Sequence, residues 1–398
     1  AMTSRRDVLK TLGLCAIATG LPALALARAD TDARLVLVIL RGAVDGLALA
    51  APYGDGNYRK HRGELALPEP RGDSGSLKLD GMFALHPALS GVYSDFRNGD
   101  ALLIHAVASP YRERSHFDGQ DVLENGAADV GALRDGWLNR AIAPLGGSLG
   151  SEHAVAMGQN TPLVLRGSNS VTSWAPSGLP DAQDSTLQRL QDLYADDEFF
   201  ATRLAQALKS QEIAGNMGGS RNRGNEAARF RELMQSTARF LTAPDGPRIA
   251  VAELGGWDTH ANQGSATGAL ANRFTMLDDG LSELRDSLGS TWSSTVVAVV
   301  TEFGRTVRVN GTRGTDHGTG PAAILTGGAV AGGRIVTDWP GLGDKQLYEG
   351  RDLMPTTDLR SVFKSLLAEH LLLSESFIEE SVFPDSAGAR LLSGIIKT

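Results

Sequence analysis

The sequence predicts an α/β protein with a mostly parallel central sheet and helices on both faces. Short, almost purely aliphatic runs such as RLVLVIL at 34–40 and TVVAVVT at 295–301 are typical of strands buried on both sides. Segments with helical spacing of apolar residues separate these runs, and strands that alternate with helices favour a parallel sheet. No internal repeat or low-complexity tract interrupts this pattern.

The first strand is expected at Arg34–Leu40, where the aliphatic run stops at an Arg-Gly pair. Residues 52–80 are rich in proline, glycine and charge, which indicates a surface excursion. Ser115 is a good N-cap for a helix at His116–Glu124. A helix at Ala269–Leu288 carries leucine and phenylalanine at helical spacing.

The remaining expected elements follow from the same two kinds of pattern. Strands are expected at Ala101–Val107, Glu152–Met157, Pro162–Leu165, Arg248–Glu253, Thr295–Thr301 and Ala322–Thr326. Helices are expected at His86–Arg97 and Leu359–His370, and residues 184–243 are predicted to form a mainly helical insertion.

Composition excludes several classes of protein. Among 398 residues, 42% are hydrophobic and 21% are charged, which excludes a disordered chain and a coiled coil. The formal net charge of −8 argues against a nucleic-acid partner, because general nucleic-acid binders present a basic face. The 47 glycines follow no three-residue period, which excludes collagen and suits a loop-rich enzyme.

The first 27 residues have the pattern of an export signal. A charged segment with Arg5 and Arg6 precedes an apolar run that ends in the small-x-small pattern Ala25–Ala27. The segment S-R-R-x-V-L-K resembles a twin-arginine signal, and the alternative is an ordinary secretory signal. The run is too short and too interrupted for a stable membrane span. We therefore expect the twin-arginine export machinery as a partner, a periplasmic or secreted location, and one domain over residues 28–398.

The only cysteine, Cys15, lies in this signal. The mature chain is therefore expected to have no disulfide, no thiol nucleophile and no thiolate metal ligand.

Carboxylates and imidazoles follow several of the expected strands. Because ligands of such folds gather at the carboxyl ends of the strands, these side chains are expected to share one polar site. Asp258 and His260 stand two residues apart, so both can face one ion on extended backbone. The candidate metal ligands are Asp45, Asp258, His260, Glu302, Asp316 and His317. This set suits Zn²⁺ or Mn²⁺ best, and Ca²⁺ or Mg²⁺ if more carboxylate and water take part. The alternative is that each aspartate forms a turn or cap and each histidine is an ordinary surface group.

Ser115 is the candidate nucleophile. A serine at a helix N-terminus lies near oriented N–H groups, which bind anions and lower the pKa of the hydroxyl. Arg41 and Arg305 are candidates to hold an anionic group by paired hydrogen bonds. The alternatives are a simple helix cap for the serine and solvated surface for the arginines.

Several motifs together resemble the bacterial family known as domain of unknown function 1501. They are the twin-arginine leader, RGAVDGL at 41–47, RSHFDGQD at 114–121, GGWDTHANQ at 255–263, TEFGRT at 301–306 and GTDHG at 314–318. The family is similar in turn to the alkaline phosphatase and sulfatase superfamily, which implies an alkaline phosphatase-like fold with one or two metal ions. By this resemblance Asp45 matches the first metal-binding acid, Ser115 the nucleophile, and Asp258 with His260 the next ligand pair.

The sequence departs from the superfamily pattern at two places. The superfamily commonly spaces its Asp and His ligands four apart, and here Asp258 and His260 are two apart. It also places an Asp-His pair directly after a late strand, whereas here that strand is followed by Glu302. Either Glu302 replaces a ligand, or a longer loop returns Asp316 and His317 to the site. The mature chain has no cysteine to form a formylglycine nucleophile, which excludes a standard sulfatase mechanism.

These observations together predict an exported, metal-dependent hydrolase of phosphate or sulfate esters or of a related anionic group. The expected substrate is a small anionic ester, or an envelope glycan or lipid. The alternative is a non-catalytic envelope or surface-assembly protein that keeps the fold. An oxidoreductase is disfavoured, because no G-x-G-x-x-G follows a strand and no haem or Fe–S cysteines are present.

Overall fold

The computed structural model of the protein describes residues 32–70, 75–145, 153–176, 184–214 and 225–397. The strands in this part of the chain are β1 Arg34–Leu40, β2 Ala50–Ala51, β3 Leu77–Lys78, β4 Ala84–Leu85, β5 Ala101–His105, β6 Val107–Ala108, β7 Ala154–Met157, β8 Thr172–Trp174, β9 Ile249–Leu254, β10 Thr295–Thr301, β11 Ala322–Thr326, β12 Arg334–Val336 and β13 Thr357–Asp358.

The α-helices of the same described ranges are α1 Gly46–Leu49, α2 Tyr58–Arg62, α3 Ser90–Asn98, α4 His116–Asn125, α5 Trp137–Ala141, α6 Asp184–Tyr194, α7 Glu198–Ala214, α8 Glu226–Thr242, α9 Ala269–Leu288, α10 Leu359–Ser365 and α11 Glu375–Phe377. Short π-helical turns at Leu366–His370 and Ile378–Val382 follow α10 and α11.

Eight of the described strands form one sheet in the order β12-β5-β11-β10-β1-β9-β7-β8. Every neighbouring pair is parallel except the two pairs that include β11, which runs antiparallel to β10 and to β5. The predicted mostly parallel α/β architecture is therefore confirmed.

Helices cover both faces of this sheet, as expected. In β1, Leu35, Leu37 and Ile39 enter one core, and the alternate residues Val36, Val38 and Leu40 enter the other. The first core also contains α5, α10 and the turns that follow α10, and the second contains α3, α8 and α9. A strand buried on both faces needs no polar alternation, which explains the continuous aliphatic run.

Several element boundaries agree with the sequence and a few do not. The strands at 34–40, 295–301 and 322–326 and the helix at 269–288 have the expected limits. The predicted strand Pro162–Leu165 is wrong, since Leu163–Leu165 forms a 3₁₀ turn. The strand predicted at Ala101–Val107 is interrupted at Ala106, whose φ is +53°, so β6 pairs with β13 in a separate small sheet. The helix predicted from His86 begins at Ser90, because a turn closed by the Leu89 N–H and the His86 carbonyl at 3.0 Å comes first.

The predicted domain division stays a prediction, and the leader at 1–27 lies outside the described residues. The described parts of 184–243 are helical and contain α6, α7 and α8. None of the described helices combines the length and the apolar character that crossing a membrane requires.

Candidate metal centre

The sheet topology brings two polar loops to one edge. β9 and β10 run parallel to β1, so the residues that follow them, including Asp258 and Glu302, lie at the carboxyl edge. β11 runs in the opposite direction, so its first residue, Ala322, lies at that same edge. The loop before β11 therefore returns His317 to the site. This reversal explains how a loop between β10 and β11 supplies ligand candidates.

Three imidazoles and one carboxylate converge at this edge. The Nε2 atom of His260 lies 3.0 Å from Nε2 of His317 and 3.0 Å from Oδ1 of Asp258. His317 Nε2 lies 3.1 Å from the same oxygen, and His116 Nε2 lies 3.4 Å from Oδ2 of Asp258. The ligand atoms of His116, Asp258 and His317 all lie within 4.8 Å of one another, and His260 lies beside them. Ligand atoms at ~2.0–2.1 Å from a tetrahedral zinc ion are separated by roughly 3.3 Å, so the side chains of His116, Asp258 and His317 suit a shared cation.

The opposite ring nitrogen of each imidazole has its own acceptor. His116 Nδ1 lies 2.8 Å from Oε1 of Glu302, and His260 Nδ1 lies 3.2 Å from Oδ1 of Asp316. His317 Nδ1 lies 2.9 Å from the carbonyl oxygen of Arg114.

When these Nδ1 atoms carry the proton, the three Nε2 lone pairs point into the cluster, as in metal sites with oriented histidines. The Nε2 atom of His116 is buried and has no hydrogen-bond partner in the described part of the chain. An unpaired buried nitrogen beside two other nitrogens and a carboxylate fits a metal ligand.

Glu302 supports His116 from outside the cluster. Its side chain is fully buried, Oε1 also accepts the Gly42 N–H at 2.9 Å, and Oε2 accepts the Thr301 hydroxyl at 2.9 Å. Burial alone would raise the pKa of Glu302, but His116 and these donors hold that pKa below its usual value. The hydrogen bond that His116 donates to Glu302 in turn raises the pKa of His116. Glu302 was predicted as a metal ligand, and the structure places it behind His116, where it orients the imidazole ring.

Asp258 is held by a buried arginine. Arg305 donates Nη1–H to Oδ1 of Asp258 and uses Nε and Nη2 on the hydroxyl and carbonyl of Thr315. Burial favours the neutral carboxyl, but this ion pair keeps the pKa of Asp258 below its ordinary value. The sequence suggested Arg305 for anion binding, but its guanidinium group donates hydrogen bonds to Asp258 and Thr315 within the protein.

Phe303 and two glycines set the ring positions. Phe303 stacks on His116 with ring centroids 4.9 Å apart and contacts His317 at 5.2 Å. Gly42 has φ +119°, and a Cβ there would lie 2.7 Å from the backbone nitrogen of Asp258. A Cβ on Gly314 would lie 2.4 Å from the carbonyl carbon of His260. The loops therefore approach more closely than side chains would allow.

The structure does not bring Asp45 into the cluster. Its buried carboxylate caps α1 by accepting the Leu47 N–H at 3.1 Å, pairs with Arg62, and accepts the Gln263 amide at 2.7 Å. The Gln263 oxygen accepts the Thr315 hydroxyl at 2.8 Å, and Thr315 accepts from Arg305. Asp45 thus belongs to the buried polar network behind Asp258.

Arg41 is held by two glutamates, whereas Ser115 stands at the start of α4. Arg41 lies between Glu124 and Glu253, with Nη1 2.7 Å from Glu124 Oε1 and Nε 2.8 Å from Glu253 Oε1. Ser115 is the N-cap of α4, as expected, but its hydroxyl makes no capping hydrogen bond within the described residues. The serine directly precedes His116, and its hydroxyl is not used to cap the helix.

His116 was not selected from the sequence. It stands in the same motif as Ser115, but helix signals do not reveal which side chain of the first turn faces the site.

The backbone of Arg114 positions His317. Arg114 has φ +65°, which is rare for a non-glycine residue and turns its carbonyl toward His317. Its side chain is held at 2.8 Å by the buried Asp352.

The cluster is open to solvent. The side chains of His260 and Asp258 are 45% and 40% exposed, whereas Glu302 behind them is buried. A bulky molecule can therefore present one small group to the cluster.

The DUF1501 family, described as a protein of unknown function, matches residues 102–382. The chain belongs to the DUF1501 family. This is the family that the motifs resembled, and its matched region contains the four clustered side chains. No curated protein matches the chain.

Similar solved structures include three proteins of low identity. A phosphonate monoester hydrolase of Agrobacterium radiobacter is 12% identical with a TM-score of 0.39, covering 86% of this chain and 74% of its own. Ps i-CgsB in complex with k-i-k-neocarrahexaose is 9% identical with a TM-score of 0.44, covering 91% and 77%. The C-terminal periplasmic domain of EcEptC from Escherichia coli, in complex with Zn, is 9% identical with a TM-score of 0.35, covering 75% and 74%.

Proposed function

We propose that this protein is an exported, metal-dependent hydrolase of phosphate or sulfate esters or of a related anionic group. The proposal rests on one observation. The Nε2 atoms of His116, His260 and His317 meet a carboxylate of Asp258, and each imidazole is held from behind through Nδ1. Side chains arranged only for stability would pair these nitrogens with donors rather than with one another.

The donor set supports Zn²⁺ or Mn²⁺ as the metal. Three imidazoles and one carboxylate suit these ions, whereas Ca²⁺ and Mg²⁺ prefer sites made of oxygen. Bound there, the cation would supply positive charge to stabilise an anionic ester under attack. Glu302, Asp316 and the Arg114 carbonyl would keep the three rings in position.

Ser115 is the proposed nucleophile. Ser115 stands at the start of α4, directly before His116 in the chain, and its hydroxyl does not cap the helix. The first-turn N–H groups of this ten-residue helix favour an anion at the same place. In the proposed reaction, a bond forms between Ser115 Oγ and the phosphorus or sulfur, and the bond to the alcohol oxygen breaks. The hydroxyl proton ends on the departing alcohol. Water then cleaves the seryl ester, which restores the serine and releases the inorganic anion.

The two arginines take other roles in this proposal. Arg305 is a positioning residue for Asp258, and Arg41 is held by Glu124 and Glu253. We therefore assign the anion to the clustered side chains and the start of α4. Export rests on the leader sequence alone, and it places the enzyme in the periplasm or outside the cell.

The test combines elemental analysis with ester hydrolysis by the purified mature chain. We expect close to one Zn or Mn per chain and turnover of phosphate monoesters, phosphate diesters or sulfate esters. His116→Ala, His260→Ala and His317→Ala should each lose metal and activity while remaining folded by circular dichroism. His153→Ala, at a partly exposed histidine outside the cluster, is the matched control and should lose neither.

Full metal content in all three cluster variants would overturn the metal site. Bound metal without turnover of any ester would instead favour the non-catalytic assembly protein.

A further inference from the structure

Phe117 is an exposed aromatic residue beside the cluster. It is 88% exposed and lies in the first turn of α4, directly after His116. The other large apolar side chains that the structure describes as exposed, such as Phe199 and Leu372, lie far along the chain from the cluster residues. Burying an aromatic ring is favourable, and the fold does not bury this one. The apolar surface of Phe117 is therefore available for contact with a ligand.

The position of Phe117 relates it to the scissile group. Its Cα lies within about 7 Å of the Cα of Ser115, because the two residues are only two positions apart in the chain. An ester held between Ser115 and the cluster would therefore bring the first ring of its alcohol portion within reach of Phe117. The solvent exposure of His260 and Asp258 leaves room for such a group outside the cluster.

We infer that Phe117 is a specificity-determining residue that binds the flat, apolar face of a ring in the alcohol portion of the ester. This inference rests on the proposed function and adds the class of substrate. Both an aryl ring and a sugar ring present such a face, and both pack on aromatic side chains. An alcohol without a ring, such as methanol, gains nothing from this contact.

The test compares Phe117→Ala with the wild type and with two other variants of the full metal-loaded chain. Phe117→Trp keeps the aromatic face, and Phe199→Ala removes another phenylalanine, 63% exposed on α7, as the matched control. The substrates are phenyl phosphate, glucose 6-phosphate and methyl phosphate, with kcat/KM measured by phosphate release. Calorimetry with phenylphosphonate and methylphosphonate measures binding without any turnover.

We expect Phe117→Ala to lower kcat/KM for phenyl phosphate, glucose 6-phosphate or both about tenfold, and to leave methyl phosphate unchanged. A loss confined to one ring substrate identifies the source as aryl or sugar. Phe117→Trp and Phe199→Ala should behave like the wild type. Phenylphosphonate should bind more tightly than methylphosphonate only when residue 117 is aromatic.

Two outcomes distinguish this inference from the proposed function. If the wild type hydrolyses the esters but Phe117→Ala changes ring and methyl substrates equally or not at all, the inference is overturned and the proposed function stands. If no ester is hydrolysed, the proposed function fails. The binding data then decide the ring contact, because equal affinity of wild type and Phe117→Ala for phenylphosphonate overturns it.

Discussion

The buried carboxylate of Glu302 lies 2.8 Å from Nδ1 of His116 and directs the opposite nitrogen of that ring toward Asp258. A carboxylate behind an imidazole fixes its tautomer and orientation and raises its basicity as a ligand. The same relationship recurs between Asp316 and His260. The site thus separates the acids that orient rings from the acid that faces the cluster.

Replacing Glu302 with glutamine should weaken metal binding about 10–100-fold, the usual cost of losing a partner behind a metal-binding histidine. The amide keeps the shape of the side chain but removes the charge that holds His116. A competition assay with a zinc chelator measures the affinity. Glu253→Gln, at an exposed carboxylate on strand β9, is the control and should keep wild-type affinity. Equal affinities in the two variants would contradict an orienting role for Glu302.

Ser115→Ala should separate the helix cap from the nucleophile. An N-cap serine that makes its hydrogen bond contributes about 1 kcal/mol of stability, but the Ser115 hydroxyl makes none. We therefore expect the free energy of unfolding in urea to change by less than about 0.5 kcal/mol. Turnover should be abolished while the metal content stays normal. Retained turnover would exclude a covalent seryl ester and leave water as the attacking group.

The sheet and part of the site were predictable because buried parallel strands leave clear signals. Aliphatic runs located β1, β10 and β11, and the residues after β9 and in the loop before β11 placed Asp258, His260 and His317 in one expected set. The structure brings these three side chains together. The reversal of β11 had no sequence signal, since its burial pattern is the same in either direction.

The roles of single residues were harder to predict from the sequence, because one residue type can serve several purposes. Asp45 follows a buried strand just as a metal ligand would, yet it caps α1 and pairs with Arg62. Glu302 lies beside the cluster, but a sequence does not indicate whether a carboxylate faces a metal or the back of an imidazole. His116 was overlooked because the facing side of a helix's first turn depends on tertiary packing.

Gly314→Ala should damage the site through sterics alone. The added Cβ would lie 2.4 Å from the carbonyl carbon of His260, which forces the two loops apart. Overpacking of this kind costs about 1–3 kcal/mol, and the displaced His260 should lower metal affinity. Thermal unfolding and elemental analysis measure both effects. Gly311→Ala, in the same loop with open space around its Cβ, is the control and should change neither quantity. Unchanged metal content in Gly314→Ala would show that His260 is not required for binding.

The acid sensitivity of folding should depend on His105, a fully buried residue in β5. Burial lowers the pKa of His105 to about 4, although the Ala50 carbonyl, 3.0 Å from Nε2, favours the protonated ring. On the other side of the ring, Nδ1 accepts the Ala106 N–H at 2.8 Å. In the unfolded chain, His105 binds a proton once the pH falls below its ordinary pKa of about 6.5, whereas in the folded chain it stays neutral down to about pH 4. Protonation of His105 therefore favours unfolding as the pH falls from 6.5 toward 4. Between pH 7.5 and pH 5 this residue alone should reduce the free energy of unfolding by about 2 kcal/mol.

His105→Asn removes that titration and tests this account. The variant should be less stable than the wild type at pH 7.5, because a buried hydrogen bond and ring contacts with Phe83 and Trp339 are lost. The stability difference should narrow by about 2 kcal/mol at pH 5, where only the wild type still has to keep His105 neutral. His86 and His370, whose pKa values burial also lowers, are present in both proteins and contribute equally to the pH dependence of each. Urea unfolding at the two pH values measures this difference in the free energy of unfolding. A difference that stays constant would show that His105 does not resist protonation in the folded state.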